Sequence, residues 1–321
     1  MKIKPKILVT RKLPKDVETR LLHDYDVFLN TDDSQYSSAD IIERAQGVDA
    51  ILCTPTESLR EDCISNLENS VKIISTFSVG YDHIDAVAAS RHNIKVTNTP
   101  DVLTDATADI ALLCMLGAAR LAYSTASTLR NGNWKRWTPT QFLGTHMTGK
   151  RLGILGMGRI GQAVARRAKG FDMTIHYFNR NELPDGQSVG GIYHKSIESL
   201  LGASDFLSIN CPLTPETYHL VDEKHINMMP DGAVVVNTAR GPVIKDEDLI
   251  TALKNGKIAS AGLDVFEGEP NINPAYLKLD NIFLLPHIGS ATIETRNAMG
   301  FKALDNLDAF FANSPLPSPV N

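Results

Sequence analysis

Gly156-Met157-Gly158-Arg159-Ile160-Gly161 follows the apolar run RLGIL (151 to 155) and leads directly into QAVARRAKGF (162 to 171). A glycine triplet with this spacing carries weight only when a strand precedes it and a helix follows, and both conditions hold here. Gly156 permits a tight turn, Gly158 lets the backbone approach a pyrophosphate, and Gly161 allows helix and strand to pack closely. The anion then sits at a helix N-terminus, where unpaired N–H groups and the helix dipole favour negative charge. The stretch therefore predicts a dinucleotide site at the helix N-terminus that follows this strand.

Working outward, β-branched runs recur on both sides of this loop. KILVT (6 to 10), DAILC (49 to 53), KIIST (72 to 76) and KVTNT (95 to 99) form one series. RLGILG (151 to 156), MTIHYF (173 to 178), FLSIN (206 to 210), AVVVNTA (233 to 239), SAGLDV (260 to 265) and IFLLP (282 to 286) form another. Strands alternating with helical stretches predict two doubly wound α/β domains with parallel sheets. Thr104 to Tyr123 reads as one near-continuous apolar helix with Thr104 as N-cap, buried between the domains. Residues 291 to 312 read as a final helix, and LPSPVN (316 to 321) as a loose tail.

The chain's 321 residues suit two domains. Lys plus Arg at 32 against Asp plus Glu at 37 leaves no basic excess for counterion-driven binding, so no nucleic-acid partner is expected. No run of about 18 apolar residues suggests a membrane span, and no apolar segment follows the basic start as in a secretory signal. Cys53, Cys63, Cys114 and Cys211 are scattered without a CxxC pair, which suits reduced thiols in a cytoplasm and suggests no metal site.

After MTIHYF, a dinucleotide fold that prefers NAD places an acid on the ribose 2'-hydroxyl. Here stand Asn179-Arg180-Asn181, and a guanidinium suits a 2'-phosphate. NADPH is therefore expected to be preferred, with NADH possible; alternatively Arg180 is a solvated loop cation and Glu182 replaces the missing acid. Three further motifs follow strand ends: Asn237-Thr238-Ala239-Arg240-Gly241, the run LDVFEGEP (263 to 270), and Leu285-Pro286-His287-Ile288-Gly289. An Arg, a carboxylate and a His converging there form a carbonyl-reducing set. Arg240 can hold a substrate carboxylate and polarise the carbonyl oxygen. His287 can protonate that oxygen as hydride arrives, and Glu269 beside it would favour the charged imidazolium. The bland alternatives are an ion pair, a surface acid and a core histidine.

GMGRIG, NTARG, LDVFEGEP and LPHIGSAT in this order resemble the D-isomer-specific 2-hydroxyacid dehydrogenase family, from about Phe77 to Met299. The resemblance implies that Arg240, Glu269 and His287 form the catalytic triad and that the Val79-Gly80 backbone in the loop FSVGYDHID helps bind the substrate carboxylate. It also implies that Asp264 receives the nicotinamide carboxamide and that Thr107 lies near the pyrophosphate. The expected cofactor contacts are then Thr107, Gly156, Gly158, Arg159, Ile160, Gly161, Asn179, Arg180, Thr238, Asp264 and Gly289. The implied fold is a Rossmann dinucleotide-binding domain (102 to 286) inserted into a flavodoxin-like substrate domain (1 to 101 and 287 to 321).

Within the family, the stretch from Gly132 to Gln162 and the ending HYFNR look like the glyoxylate/hydroxypyruvate reductase branch, whose substrates are small 2-oxo acids. Another D-2-hydroxyacid dehydrogenase, such as a phosphoglycerate dehydrogenase, or a dinucleotide-sensing corepressor-like module, remains as an alternative. Residues 104 to 150 resemble the family's dimerisation region. The implied assembly is a homodimer in which Trp137, second of the Trp134-x-x-Trp137 pair, reaches the partner's substrate pocket.

Overall fold

The computed structural model describes residues 4–321, and its packing divides the chain into two units. One contains the chain up to Leu103 together with Ser290–Asn321; the other is Thr104–Gly289. The return to the first unit falls after Gly289, beyond the expected 287, because Ile288 and Gly289 are hydrogen-bonded to Asp264 in the second unit.

The first unit runs β1 (Lys6–Val9), α1 (Lys15–Asp24), β2 (Asp26–Phe28), α2 (Ser38–Arg44), β3 (Ala50–Cys53), α3 (Glu61–Ile64), β4 (Ile73–Thr76), α4 (Ala86–Arg91) and β5 (Lys95–Thr97). Its parallel sheet has the order β2-β1-β3-β4-β5. β3 and β4 are buried at every position, the condition under which strands covered on both faces read as unbroken apolar runs. β2 was not expected. It is an edge strand, and Asp26 and Phe28 are exposed, so it lacks that signature.

The second unit begins with α5 (Thr104–Ala119) and α6 (Ala122–Arg130). The single helix expected to reach Tyr123 is instead two helices bent by 67°. Leu121 at the break takes a left-handed φ of 50°, and the Thr145 N–H donates to the Ala119 carbonyl at 2.7 Å, replacing the bond a continuing helix would make. Then follow β6 (Arg151–Leu155), α7 (Arg159–Ala168), β7 (Thr174–Phe178), β8 (Ile192–Tyr193), α8 (Ile197–Gly202) and β9 (Phe206–Ile209). The unit ends with α9 (Glu223–Met228), β10 (Ala233–Asn237), α10 (Asp246–Asn255), β11 (Ile258–Leu263) and β12 (Ile282–Leu284). The seven parallel strands are ordered β12-β11-β10-β9-β6-β7-β8, so the winding reverses at β6, where the glycine loop begins. Each face has its own core: Val234 and Val236 join the cluster under α5 and α7, whereas Val235 faces Leu200, Leu249 and Leu253.

In the first unit the chain ends with α11 (Ile293–Phe311), N-capped by the Thr292 side chain. The tail expected to be loose is pinned. The Val320 N–H donates to the Val96 carbonyl at 2.8 Å, Pro319 bridges Thr97 antiparallel, and Ser318 is 5% exposed. The pairing covers the open edge of β5, which would otherwise present unpaired peptide groups.

Candidate active site

Gly156 leaves β6 at φ 97°, and a Cβ there would lie 2.7 Å from the Cys211 nitrogen; at Gly161 it would lie 2.3 Å from the Gly156 carbonyl oxygen. Only glycine fits either position. Gly158 caps α7 and has open space beside it, which leaves the helix N-terminus, with Arg159 and Ile160 in its first turn, accessible to an anion. Asn179 is drawn inward: its Oδ1 accepts from the Met157 N–H at 2.7 Å, so it holds the glycine loop from behind. Arg180 is exposed. Near it Glu216 is held below the usual carboxylate range, chiefly by the Thr214 hydroxyl and in smaller part by the Arg180 charge.

Two buried polar atoms at adjacent strand ends, Thr238 Oγ1 after β10 and Asn210 Oδ1 after β9, have no hydrogen-bond partner among the described residues. Buried orphans of this kind are rare and point to a ligand. Together with the open glycine loop they fit a bound dinucleotide. Cys211 beside them has its thiol pushed up to about 11 by burial, so it is no nucleophile at neutral pH.

The three motifs expected to carry the chemistry, with Arg240, Glu269 and His287, follow β10, β11 and β12, three neighbouring parallel strands. His287 Nδ1 lies 2.7 Å from Glu269 Oε2, while the other oxygen of Glu269 accepts from the Phe266 N–H at 2.6 Å. The carboxylate is thus fixed at both ends. An ionised Glu269 can only accept, so the Nδ1 proton is shared with it and the second ring nitrogen, Nε2, is left as the atom that can deliver a proton. His287 itself has φ 53°, the left-handed region.

Asn237 shapes the turn that carries Arg240. Its Nδ2 donates to the Arg240 carbonyl at 2.9 Å and its Oδ1 accepts from the Ala239 N–H at 3.0 Å. Arg240 Nη1 donates to the Ala239 carbonyl at 2.8 Å. The next residue presses on the Glu269 loop, since a Cβ on Gly241 would lie 1.8 Å from the carbonyl carbon of Phe266. The turns bearing Arg240 and Glu269 are therefore in backbone contact.

Asp264 is 1% exposed, and burial raises its carboxyl above the ordinary range, against the N–H groups of Ile288 and Gly289, which each donate to it at 2.7 Å. It thereby ties the end of β11 to the loop carrying His287, a role the motif did not announce. Thr107 Oγ1 donates to the Gly289 carbonyl at 3.3 Å, so Thr107, Asp264 and Gly289 form one cluster.

Val79 and Gly80 lie in the first unit, after β4. Behind them Asn98 Nδ2 donates to the Val79 carbonyl at 2.8 Å, a contact the sequence reading missed because nothing in the pattern links the two turns. Trp137 is 76% exposed and lines a surface cavity of about 270 Å³ with Thr125, Leu129, Trp134 and Phe142.

A family profile described as "D-isomer specific 2-hydroxyacid dehydrogenase, NAD binding domain" matches residues 112–289. The chain is 44% identical over 315 residues to a glycerate dehydrogenase of Hyphomicrobium methylovorum, covering 98% of each chain. It is 43% identical to a glyoxylate reductase of Thermococcus litoralis, covering 99% of this chain and 97% of that one. Among solved structures, an NADPH-dependent glyoxylate/hydroxypyruvate reductase of Sinorhizobium meliloti in complex with NADP and malonate superposes with a TM-score of 0.88 at 35% identity, covering 99% of this chain and 97% of that one. With the glycine loop on β6 and the Arg, Glu and His motifs on adjoining strand ends, these matches establish that the chain belongs to the D-isomer-specific 2-hydroxyacid dehydrogenase family, as an oxidoreductase that uses a nicotinamide dinucleotide.

Proposed function

We propose that this chain reduces glyoxylate to glycolate and hydroxypyruvate to D-glycerate, with NADPH preferred over NADH. The observation that carries the reading is the 2.7 Å Glu269–His287 pair, held on a turn in backbone contact with the one bearing Arg240. NADPH, when bound, supplies the hydride that adds to the carbonyl carbon. Arg240 holds the substrate carboxylate and polarises the carbonyl oxygen, and the N–H groups of Val79 and Gly80 contribute to the carboxylate's binding. His287 Nε2 gives its proton to that oxygen as negative charge develops on it. Glu269 accepts the Nδ1–H bond, orients the ring and offsets the imidazolium charge. Hydride and proton together turn C=O into CH–OH. Asp264 keeps the His287 loop in place and has lone pairs left for the carboxamide.

The decisive assay follows absorbance at 340 nm as protein, NADPH and glyoxylate are mixed. No consumption with glyoxylate, hydroxypyruvate, pyruvate or 3-phosphohydroxypyruvate would favour a dinucleotide-sensing role instead.

Cofactor preference rests on Arg180 and on the missing acid after β7, in keeping with the NADP complex of the Sinorhizobium relative. Arg180→Asp removes a charge-assisted contact of about 1.5 to 3 kcal/mol and adds repulsion of the 2'-phosphate. At about 1.4 kcal/mol per tenfold, kcat/KM for NADPH should fall at least about tenfold. NADH efficiency should hold or rise. Equal losses with both cofactors would mean that Arg180 only supports its loop.

The assembly under this reading is an isologous homodimer. Support comes from the apolar surface beside α6, where Leu129, Trp134, Trp137 and Phe142 line one cavity and are each more than 40% exposed, an unusual face for a monomer. Trp137 then narrows the partner's pocket towards two- and three-carbon acids. Mixing His287→Gln and Trp137→Ala subunits after unfolding and reassembly should partly restore glyoxylate reduction, provided Trp137→Ala is severely impaired alone. Proven subunit exchange without recovery would remove Trp137 from the partner's site. The four cysteines are buried and unbridged, which suits a cytoplasmic enzyme.

A further inference from the structure

The loop after β4 has an unusual hydrogen-bond balance. Its carbonyls are pinned one after another: Ser78 O accepts from the Thr99 N–H at 2.8 Å, Val79 O from Asn98 Nδ2 at 2.8 Å, and Gly80 O from Ser78 Oγ at 2.6 Å. In a planar trans peptide the carbonyl and the following N–H point in opposite directions. Fixing these three carbonyls therefore aims the N–H groups of Val79, Gly80 and Tyr81 away from the atoms that hold them. Among the described residues none of these three N–H groups has an acceptor. Consecutive unpaired peptide N–H groups make an anion-binding concavity.

Asn98, which holds the middle carbonyl, is itself held by the end of the chain. Its N–H donates to the Ser318 carbonyl at 3.2 Å, and its carbonyl accepts from Asn306 Nδ2 at 3.2 Å. Asn306 on α11 is fully buried, and its Oδ1 accepts from the Ser318 N–H at 2.9 Å, which fixes the orientation of the amide. The path Ser318–Asn306–Asn98–Val79 is continuous. Its two halves, Val79 with Asn98 and Asn306 with Ser318, lie more than 200 residues apart in sequence, yet all four belong to one unit.

We propose that the carboxyl-terminal segment Ser318–Asn321 is a brace for oxo-acid binding, and that Asn98 is the positioning residue through which it sets the peptide N–H groups of the loop from Val79 to Tyr81. This rests on the reading that the loop receives the substrate carboxylate. The brace acts on substrate affinity and leaves hydride transfer and proton delivery alone, because Arg240, Glu269 and His287 are anchored in the other unit.

Two variants test it in the full-length protein at saturating NADPH. Asn98→Ala removes the donor to Val79 without adding charge, and deletion of Ser318–Asn321 removes the brace but keeps Asn98. Each should raise the KM for glyoxylate and the inhibition constant of oxalate roughly tenfold, the scale on which a slightly misplaced binding group acts, with kcat and the KM for NADPH within about twofold. If kcat falls with KM unchanged, or neither parameter moves, the brace is wrong. Gly80→Pro, which deletes one of the N–H groups themselves, tells the two failures apart. If it raises the KM for glyoxylate while Asn98→Ala and the deletion do not, the brace falls and carboxylate binding by the loop stands. If the folded Gly80→Pro protein also keeps the native KM, the carboxylate reading falls as well.

Discussion

His287→Gln is expected to lower glyoxylate turnover by roughly 100-fold or more, within the 10² to 10⁴ that general acid–base catalysis contributes. Glutamine keeps a donor N–H and much of the ring's reach but has no proton to give. The loss belongs in kcat, because the Gly289 and Ile288 N–H bonds to Asp264 are backbone bonds and survive the change. NADPH affinity should therefore change little. The left-handed φ of 53° at residue 287 is somewhat less comfortable for glutamine than for histidine, so a thermal midpoint belongs beside the rates. A folded variant with near-native kcat would require another proton donor and would remove His287 from the mechanism.

How far the sequence could be read depended on what kind of contact was being read. The parallel strands AVVVN and IIST announce themselves because both faces are covered, and burial on both faces leaves an apolar run. Edge strands escape that rule: β2 exposes Asp26 and Phe28, and β8 is two residues long. The break at Leu121 was equally hidden, since the peptide N–H that caps the Ala119 carbonyl comes from Thr145, far from the helix in sequence, and the neighbours Arg120 and Ala122 are both good helix formers. The tail misled for a different reason. Its prolines suggest looseness, but Val320 N–H and the side chain of Asn321 pair with β5, where an open sheet edge offered partners.

For the site, strand-end position and residue chemistry together singled out Arg240, Glu269 and His287, because reaction chemistry dictates residue type and parallel sheets dictate where it collects. What stayed illegible are side-chain bonds to distant backbone. Asn179 reaches Met157, Asn98 reaches Val79, and Asp264 spends a bond from each oxygen on the His287 loop. None of these leaves a periodic trace, and Asp264 in particular is a loop clamp as much as a candidate ligand group.

Arg240→Lys is expected to reduce kcat/KM for glyoxylate by roughly 100-fold, the scale seen when one donor to a developing oxyanion is removed. The charge is kept, so a Coulombic role alone would predict a small effect. The fork is lost: a guanidinium presents coplanar N–H groups that can hold a carboxylate and the adjacent carbonyl oxygen together, whereas an ammonium is a compact point charge on a flexible stem. The surroundings isolate that difference. Asn237 fixes the turn through the Ala239 N–H and the Arg240 carbonyl, and Gly241 packs on Phe266, all through backbone that the substitution leaves in place. Arg240 Nη1 on the Ala239 carbonyl fixes the plane of the fork, and lysine cannot reproduce that plane. Both kcat and KM should worsen, since under the proposed mechanism the group acts on the ground-state carboxylate and on the oxygen that gains charge in the transition state. Arg240→Ala with added guanidinium ion should recover part of the lost rate. Near-native efficiency in Arg240→Lys would show that a point charge suffices, and the orientation of the substrate would then have to be sought in the peptide N–H groups of Val79 and Gly80.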